Sequence, residues 1–245
     1  MRTSCPIRVF LRSLLIHSSF NFWRMQNLGF AYAMIPLIRR KGADRKDVSG
    51  FLVRHLERFN THPYLSGPVI GSIARLEETM EEGQAGPICS EVKNTLMGPY
   101  AAIGDTFFWG AWRPFSAIMA VLLAREGFIL APVFFLIVYN PPHFWVRCRG
   151  FLEGCRRGRD GIGFISAMNL PAAAGKIRWL SLAMLGVLAA LAAQSTGHAI
   201  GSDPAFVPGA LSLAVVLLCF WLLKMGATAI LLLYGMAALL TLFSL

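Results

Sequence analysis

The second half of the chain is dominated by long apolar segments that contain few charges. Three of these segments cover residues 177–193, 209–223 and 226–245. About 20 apolar residues in helical conformation span the hydrocarbon core of a bilayer. We therefore predict an all-α, polytopic integral membrane protein, in which residues 115–245 form the membrane-embedded region and each of the three segments is a helix.

A fourth apolar stretch, residues 115–140, is interrupted by the charged pair Arg125-Glu126. The pair leaves apolar pieces of 10 and 14 residues, and each piece is too short for a simple span. We predict a re-entrant hairpin that enters and leaves the membrane on one side, with Arg125-Glu126 near its tip. The alternative is a single span that contains an internal Arg–Glu pair.

The distribution of charge predicts the orientation. Residues 141–176 are predicted to form a loop, and this loop is rich in arginine: Arg147, Arg149, Arg156, Arg157 and Arg159. Cytoplasmic loops carry an excess of Lys and Arg, so we place it in the cytoplasm. Residues 194–208 contain Asp203 and neither Lys nor Arg, so we place them outside.

Residues 1–114 form an amphipathic N-terminal region. Between residues 8 and 40, arginines interrupt the apolar residues too often for a span, which favours helices that lie in the membrane interface. Within this part, residues 21–27 (NFWRMQN) concentrate polar and aromatic groups. This group either lines a binding site or forms the solvated face of a helix.

The stretch 96–114, LMGPYAAIGDTFFWGAWRP, places Asp105 between a glycine-rich approach and a run of bulky side chains. Its glycines and prolines argue against one straight helix. Irregular backbone at membrane depth is tolerated where protein or a water-filled cavity satisfies its polar groups. We therefore predict that this stretch lines a passage. The alternative is a loop in which Asp105 caps a helix.

Composition supports the membrane assignment, since 56% of the residues are hydrophobic and 15% are charged. The net charge of +10 comes from basic residues that flank apolar segments, so we expect membrane surface rather than nucleic acid as their partner. The chain lacks nucleotide-binding and hydrolase motifs, and its five cysteines have no metal-type spacing. We predict no catalytic residue, no metal and no cofactor.

Four acidic residues follow an apolar segment: Glu77, Glu78, Glu81 and Glu82. Paired carboxylates can perform acid–base catalysis, and with Asp105 they are what would favour a membrane enzyme that acts on lipid. Such clusters are more often solvated helix ends, and this is our prediction.

Several short stretches together resemble the IID component of the mannose/fructose/sorbose family of bacterial phosphotransferase systems. Their order and spacing carry the resemblance, which covers most of residues 8–165. In chain order they are Asn21, RMQNLGF at 24–30, FNTHPY at 59–64, LEE at 76–78, LMGP at 96–99, IGD at 103–105, WG at 109–110 and RP at 113–114.

The resemblance implies a multi-pass subunit of the bacterial inner (plasma) membrane that pairs with a IIC subunit, the pairs assembling into larger oligomers. Together they would carry a hexose inward while soluble IIA and IIB proteins relay a phosphoryl group from phosphoenolpyruvate to it. The phosphorylated histidines of the family lie on IIA and IIB, so the chain is not expected to be an enzyme on its own. The alternative is a non-transporting membrane scaffold or regulator of phosphotransferase components.

Two positions depart from the family pattern. Trp23 stands where the family usually has a glutamate, and His17 stands where a glutamine is common. A carboxylate accepts hydrogen bonds from sugar hydroxyls, whereas an indole can only stack or donate. Altered sugar preference or loss of transport would follow if Trp23 faces the substrate.

The polar residues of the family-like stretches define the predicted substrate site. We expect them to meet at the edge of a polar cavity shared with the IIC partner, where indole rings stack on a pyranose. The predicted residues are Asn21, Arg24, Gln26, Asn27, Asp105 and Trp109.

The predicted orientation can be measured by labelling single cysteines in a cysteine-free background. A cysteine within residues 147–159 should react with a membrane-impermeant reagent only after the inner membrane is permeabilised, and one beside Asp203 should react in intact cells, because the basic segment stays in the cytoplasm. The reverse pattern would overturn the orientation.

Overall fold

The computed structural model describes residues 7–41, 45–80, 82–200 and 206–243. These residues are helical or in turns, with isolated β-bridges of Met25 to Asn21 and to Phe59 as their β-type pairing, so the all-α prediction is confirmed for this part of the chain. Outside it lie residues 1–6 and 42–44 of the N-terminal region, Glu81, the middle of the predicted outside loop including Asp203, and the last two residues.

The chain divides into two compact units, Met1–Leu182 and Ala183–Leu245. A π-helix, Asp105–Trp112, joins α5 to α6, and two short 3-10 helices cover Pro63–Leu65 and Gly158–Ile162. The α-helices are α1 Ile7–Ser13, α2 Asn27–Lys41, α3 Arg45–His55, α4 Ser66–Thr79, α5 Glu82–Gly104, α6 Arg113–Arg125, α7 Ala131–Arg157, α8 Gly163–Ala167, α9 Leu170–Ile200, α10 Phe206–Lys224 and α11 Ala229–Phe243.

Helix α4 is the centre of the first unit, and small residues let α7 pack directly on its backbone. A Cβ on Gly71 would overlap the carbonyl oxygen of Phe151, and a Cβ on Gly154 would overlap that of Pro68. Close backbone approach through small residues is typical of helices that pack in membranes. This contact fixes the position of the segment before α4, which contributes to the site described below.

The predicted segments 177–193 and 209–223 are helical, within α9 and α10, and the third segment, 226–245, is helical over α11. Of the described helices, two are long and apolar enough to cross a membrane, Gln84–Arg125 and Leu170–Ala192. The first of these extends through the predicted boundary at residue 114. We call it the long helix; it consists of most of α5, the π-helical segment Asp105–Trp112 and α6.

Most described residues of the predicted loops at 141–176 and 194–208 are helical, contrary to the prediction. Helix α7 continues through Pro141 and Pro142 to Arg157, and α9 continues to Ile200. Proline is a helix breaker in water, but membrane helices tolerate it where neighbouring groups satisfy the backbone. Beside the two prolines, the Asn140 side chain donates a hydrogen bond to the carbonyl of Leu136 at 2.8 Å.

The apolar stretch 115–140 lies in two packed helices that are joined by a turn. Helix α6 ends at Arg125, a turn with Gly127 at φ +82° follows, and α7 begins at Ala131 and packs on α6. The alternative of one continuous span through Arg125-Glu126 is therefore wrong. The re-entrant course of the pair across the membrane stays a prediction.

Glu77 is fully buried (0% exposed), so the expectation of a solvated helix end was wrong for this residue. Arg54 of α3 donates two hydrogen bonds to its carboxylate, at 2.8 and 2.9 Å, and His55 Nε2 lies 3.1 Å from Oε1. Burial alone would raise the pKa of Glu77, but the hydrogen bonds from Arg54 and His55 outweigh it and lower the pKa to about 2. The carboxylate is thus a structural bridge between α3 and α4 and not a free acid–base group.

This bridge extends to α5. Lys93 is buried and donates to the Arg54 carbonyl and to Glu57 Oε2, the latter at 3.1 Å. Ser90 donates to the same carboxylate oxygen at 2.8 Å. Three helices are therefore held together by one ionic network, whose members must all be present because an unpaired buried charge is costly.

We expect Glu77→Gln to lower the free energy of unfolding by about 3 kcal/mol, since it removes the buried carboxylate that accepts two hydrogen bonds from Arg54. The folded-state pKa lies below the usual value of 4.5, so the stabilisation is complete above pH 4.5 and is lost as pH falls toward 2. Thermal unfolding of the detergent-solubilised protein at several pH values measures both effects.

The matched control is Glu78→Gln, which removes an exposed carboxylate one residue later and should change stability by less than about 1 kcal/mol. Equal effects of the two substitutions, or an unchanged acid dependence in Glu77→Gln, would contradict the assignment.

Candidate functional site

A polar cavity of about 250 Å³ lies within the first unit, where three parts of the chain meet. These parts are the segment that precedes α2, the connection between α3 and α4, and the middle of the long helix. The residues that line the cavity are His17, Phe20, Gln26, Asn60, Thr61, His62, Ala101, Asp105 and Trp109.

The long helix contributes its π-helical segment to the cavity. The N–H of Arg113 bonds the carbonyl of Phe108, five residues earlier, which is the widened π pattern. Phe107 and Phe108 are buried, whereas Asp105 and Trp109 lie on the exposed side, in the cavity lining. Single π-helical turns inside α-helices often occur at functional sites.

The glycines of this stretch do not break the helix, contrary to our expectation of irregular backbone. Gly104 has helical dihedral angles (φ −67°, ψ −45°), and helix precedes and follows Asp105. The alternative of a loop with Asp105 as a helix cap is also wrong. Gly104 is instead required for close packing, since a Cβ there would overlap the imidazole of His62.

Three of the predicted site residues fasten a tight loop to the end of α3 and do not line the cavity. Arg24 Nη1 and Asn27 Nδ2 donate to the Leu56 carbonyl at 3.2 and 2.9 Å. Asn21 Nδ2 donates to Asn27 Oδ1 at 2.6 Å. The loop is closed by a reciprocal backbone pair between Asn21 and Met25, with Met25 at φ +58°.

Gln26 is the one predicted residue of this loop that lines the cavity. It is buried, and its amide pairs with the backbone of Thr61 in both directions. Nε2 donates to the Thr61 carbonyl at 2.7 Å, and Oε1 accepts from the Thr61 N–H at 3.2 Å. Gln26 therefore holds the segment that carries Thr61 and His62 against α2.

Three polar groups that belong to residues of the cavity lining have no hydrogen-bond partner among the described residues. Two of them, Thr61 Oγ1 and His62 Nε2, are buried, with their residues 3% and 1% exposed. The third is the carboxylate of Asp105, which makes neither a hydrogen bond nor an ion pair in the described part of the chain. Buried polar groups are nearly always paired, so the unpaired Thr61 Oγ1 and His62 Nε2 are unusual, whereas Asp105 is exposed.

The hydrogen bonds of His62 identify its protonation state. Its Nδ1 accepts from the N–H of Tyr64 at 3.2 Å, so Nδ1 is unprotonated and the proton of the neutral ring is assigned to Nε2. Burial, followed by the nearby charge of Arg147, lowers the pKa of His62 to about 3. His62 is thus neutral at physiological pH, and its Nε2–H is a buried donor without a hydrogen-bond partner among the described residues.

Aromatic rings surround this donor. The His62 ring stacks on Phe108 at 5.4 Å and tilts against Trp109 at 4.7 Å between centroids. Phe20 stacks on His17 at 5.1 Å. The cavity therefore combines a few convergent polar groups with aromatic faces, which is the usual composition of a small-molecule site.

The structure thus brings together Gln26, Asp105 and Trp109 of the predicted set. The residues that we missed are Thr61 and His62, which the sequence analysis treated only as part of a turn. A signal was present, because both belong to FNTHPY, one of the stretches that carry the family resemblance. Their proximity to Asp105 could not be predicted, since it arises from packing between residues more than 40 positions apart.

We expect Gly104→Ala to lower the free energy of unfolding by about 1–3 kcal/mol, because its methyl group meets the His62 ring. Gly98→Ala is the matched control on the same helix, where a Cβ meets nothing within 4 Å. The control should stabilise the protein by up to about 1 kcal/mol through helix propensity. Thermal unfolding of both purified variants measures the difference, and effects of the same sign would contradict the packing described.

The chain is similar over its whole length to known proteins. The family model of the PTS system mannose/fructose/sorbose family IID component matches residues 3–245. The fructose permease IID component of Bacillus subtilis (strain 168) is 32% identical over 252 residues, which cover 93% of this chain and 90% of that protein.

Two solved structures are similar as well. One, described as "Structure of membrane protein", has a TM-score of 0.70 at 30% identity and covers 94% of this chain and 92% of its own. The other is the cryo-EM structure of the mannose transporter ManYZ in complex with microcin E492, with a TM-score of 0.55 at 28% identity, covering 95% of this chain and 92% of its own.

Proposed function

Because the chain belongs to the mannose/fructose/sorbose family of phosphotransferase systems as its IID component, we propose that the cavity around Asp105 forms part of the path of a hexose across the membrane. The chain is a membrane permease subunit of a phosphoenolpyruvate-dependent sugar phosphotransferase system, and it acts with a IIC subunit. The alternative of a non-transporting scaffold is not favoured, since a protein 32% identical to this chain is a fructose permease component.

The observation that carries the proposal is that three residues of one cavity lining, Thr61, His62 and Asp105, each have a polar group without a hydrogen-bond partner among the described residues. The Asp105 carboxylate accepts hydrogen bonds, His62 Nε2 donates, and the Thr61 hydroxyl does both. A sugar hydroxyl is itself a donor and an acceptor, so neighbouring hydroxyls on one ring can satisfy all three groups. An apolar ligand would leave Thr61 Oγ1 and His62 Nε2 buried and unpaired, at a cost of about 1–3 kcal/mol each.

The size and the aromatic faces of the cavity agree with a monosaccharide. Its volume of about 250 Å³ lies just below the range of roughly 300–1,000 Å³ that is usual for drug-sized ligands. Trp109 offers an indole face beside the polar wall, and the apolar face of a pyranose ring can stack on it. Gln26 also lines the cavity, but one N–H of its amide and its Oε1 are already hydrogen-bonded to the backbone of Thr61.

Asn21, Arg24 and Asn27, which we predicted to bind substrate, have a supporting role in this proposal. They tie the loop to the Leu56 carbonyl and so fix the position of Gln26. Removal of their side chains would therefore act on sugar binding through the Gln26–Thr61 pair.

The two departures from the family pattern differ in their position. His17 lies in the cavity lining, so the replacement of glutamine by histidine changes the groups that the sugar meets. Trp23 is 86% exposed at the tip of the loop and is not part of the lining. We therefore assign altered sugar preference to His17, and Trp23 gives no reason to expect loss of transport.

Transport in this proposal requires the remaining phosphotransferase components. Soluble IIA and IIB proteins carry the phosphoryl group, pairs of IIC and IID assemble into a larger oligomer, and the complex resides in the inner membrane. The unpaired groups of the cavity supply binding and orientation, and the phosphoryl transfer itself takes place on IIB. The histidines of this chain have no carrier role, and His62 is held neutral by its burial.

We expect Asp105→Asn to reduce the apparent affinity for hexose about 10- to 100-fold, because a hydrogen bond to a charged group is worth about 1.5–3 kcal/mol. Uptake of radiolabelled mannose and fructose is measured in cells that lack their own permeases of this family and express the chain with its IIC, IIA and IIB partners.

The control is Asp160→Asn, which neutralises an exposed aspartate of the 3-10 helix Gly158–Ile162 outside the cavity. Both variants should co-purify with IIC at the level of the unsubstituted chain. Unchanged uptake by a well-assembled Asp105→Asn complex would refute the site assignment and leave the family assignment intact.

A further inference from the structure

The π-helical segment is held from outside by a residue of another helix. Arg178 of α9 donates from Nε to the Gly110 carbonyl at 3.2 Å and from Nη2 to the Thr106 carbonyl at 3.3 Å. Each carbonyl oxygen has two lone pairs, so it can accept from Arg178 and also take part in the helix. One guanidinium therefore bridges two carbonyls that are four residues apart.

Arg178 places a charge in an apolar segment, and such a charge costs free energy in a membrane unless other groups stabilise it. It lies within Leu170–Ala192, one of the two described helices that are apolar and long enough to cross a membrane. Charged residues in such segments are rare, pair with other groups or with backbone carbonyls, and usually mark functional regions. The neighbouring cation Lys176 is exposed like Arg178, but it makes no interaction with the described residues.

The two carbonyls belong to the turn that presents the site residues. Thr106 directly follows Asp105, and Gly110 directly follows Trp109. A Cβ on Gly110 would lie 3.0 Å from Arg178 Nη2, so glycine at this position leaves room for the guanidinium. The contact thus involves both ends of the backbone between the carboxylate and the indole that line the cavity.

We propose that Arg178 is a positioning residue that holds the π-helical segment in the register that directs Asp105 and Trp109 into the cavity. The inference rests on the proposed sugar site. Arg178 does not line the cavity, so it acts on the sugar only through the backbone of Thr106 and Gly110. The planar fork of arginine is needed, because the single ammonium of lysine is a point donor with a different reach.

The test compares Arg178→Gln, Arg178→Lys and the control Lys176→Gln in the complete permease complex. The first readout is hydrogen–deuterium exchange of the peptide that contains residues 105–112 in the purified IIC–IID complex. We expect faster exchange in Arg178→Gln, an intermediate rate in Arg178→Lys, and an unchanged rate in Lys176→Gln. Exchange of the α4 and α7 peptides should stay the same in all three, which separates a local effect from misfolding.

The second readout is hexose uptake as a function of sugar concentration. Arg178→Gln should raise KM by about tenfold, as expected for the loss of about 1.4 kcal/mol of binding, with a smaller change in the maximal rate at equal complex levels. Arg178→Lys should lie between this variant and the unsubstituted chain. A merely structural role would lower the amount of complex and the maximal rate but leave KM unchanged.

Unchanged exchange of residues 105–112 in Arg178→Gln overturns the proposal, and so does faster exchange with an unchanged KM. If Asp105→Asn leaves uptake intact, the sugar site itself fails. The exchange experiment then still decides whether Arg178 holds the π-helical segment, so the two failures can be told apart.

Discussion

The widened turn in the middle of the long helix is the constraint on which the site depends. A π-helical turn contains more residues than an α-helical one, so it changes the face on which the following side chains lie. Here it places two phenylalanines in the core while Asp105 and Trp109 line the cavity. Gly104 permits the approach of the His62 ring just before this turn. The cavity forms because the close packing of His62 on Gly104 and the π-helical turn that begins at Asp105 lie at adjacent positions.

The buried polar groups of the first unit fall into two kinds. Glu77 and Gln26 have their partners in place and hold elements together, the first between α3 and α4 and the second between the start of α2 and the segment before α4. Thr61 and His62 belong to the segment that Gln26 contacts. Their side-chain atoms Oγ1 and Nε2, however, have no hydrogen-bond partner among the described residues. The paired groups thus provide a rigid frame for the unpaired ones, which is the arrangement expected of a pre-organised binding site.

The helices and turns that depend on the local sequence pattern could be predicted. The apolar helices near the C-terminus, the turn before α4 and the turn after Arg125 all follow from residue type and spacing, and the spaced motifs identified the family. Contacts between residues that are far apart in the sequence, such as that of Arg54 with Glu77, could not be predicted. The expectation that glycines interrupt the stretch was misleading at Gly104, where the helix continues and the His62 ring packs on the glycine.

The absence of a side chain at Gly104 has a consequence for how this permease can diversify. A substituent there would collide with His62, so natural or laboratory evolution cannot reshape the cavity from this position. The lining residues Ala101 and His17 already carry side chains that border the cavity. New sugar preferences should therefore accumulate at the periphery of the cavity, while its centre stays the same from one descendant to the next.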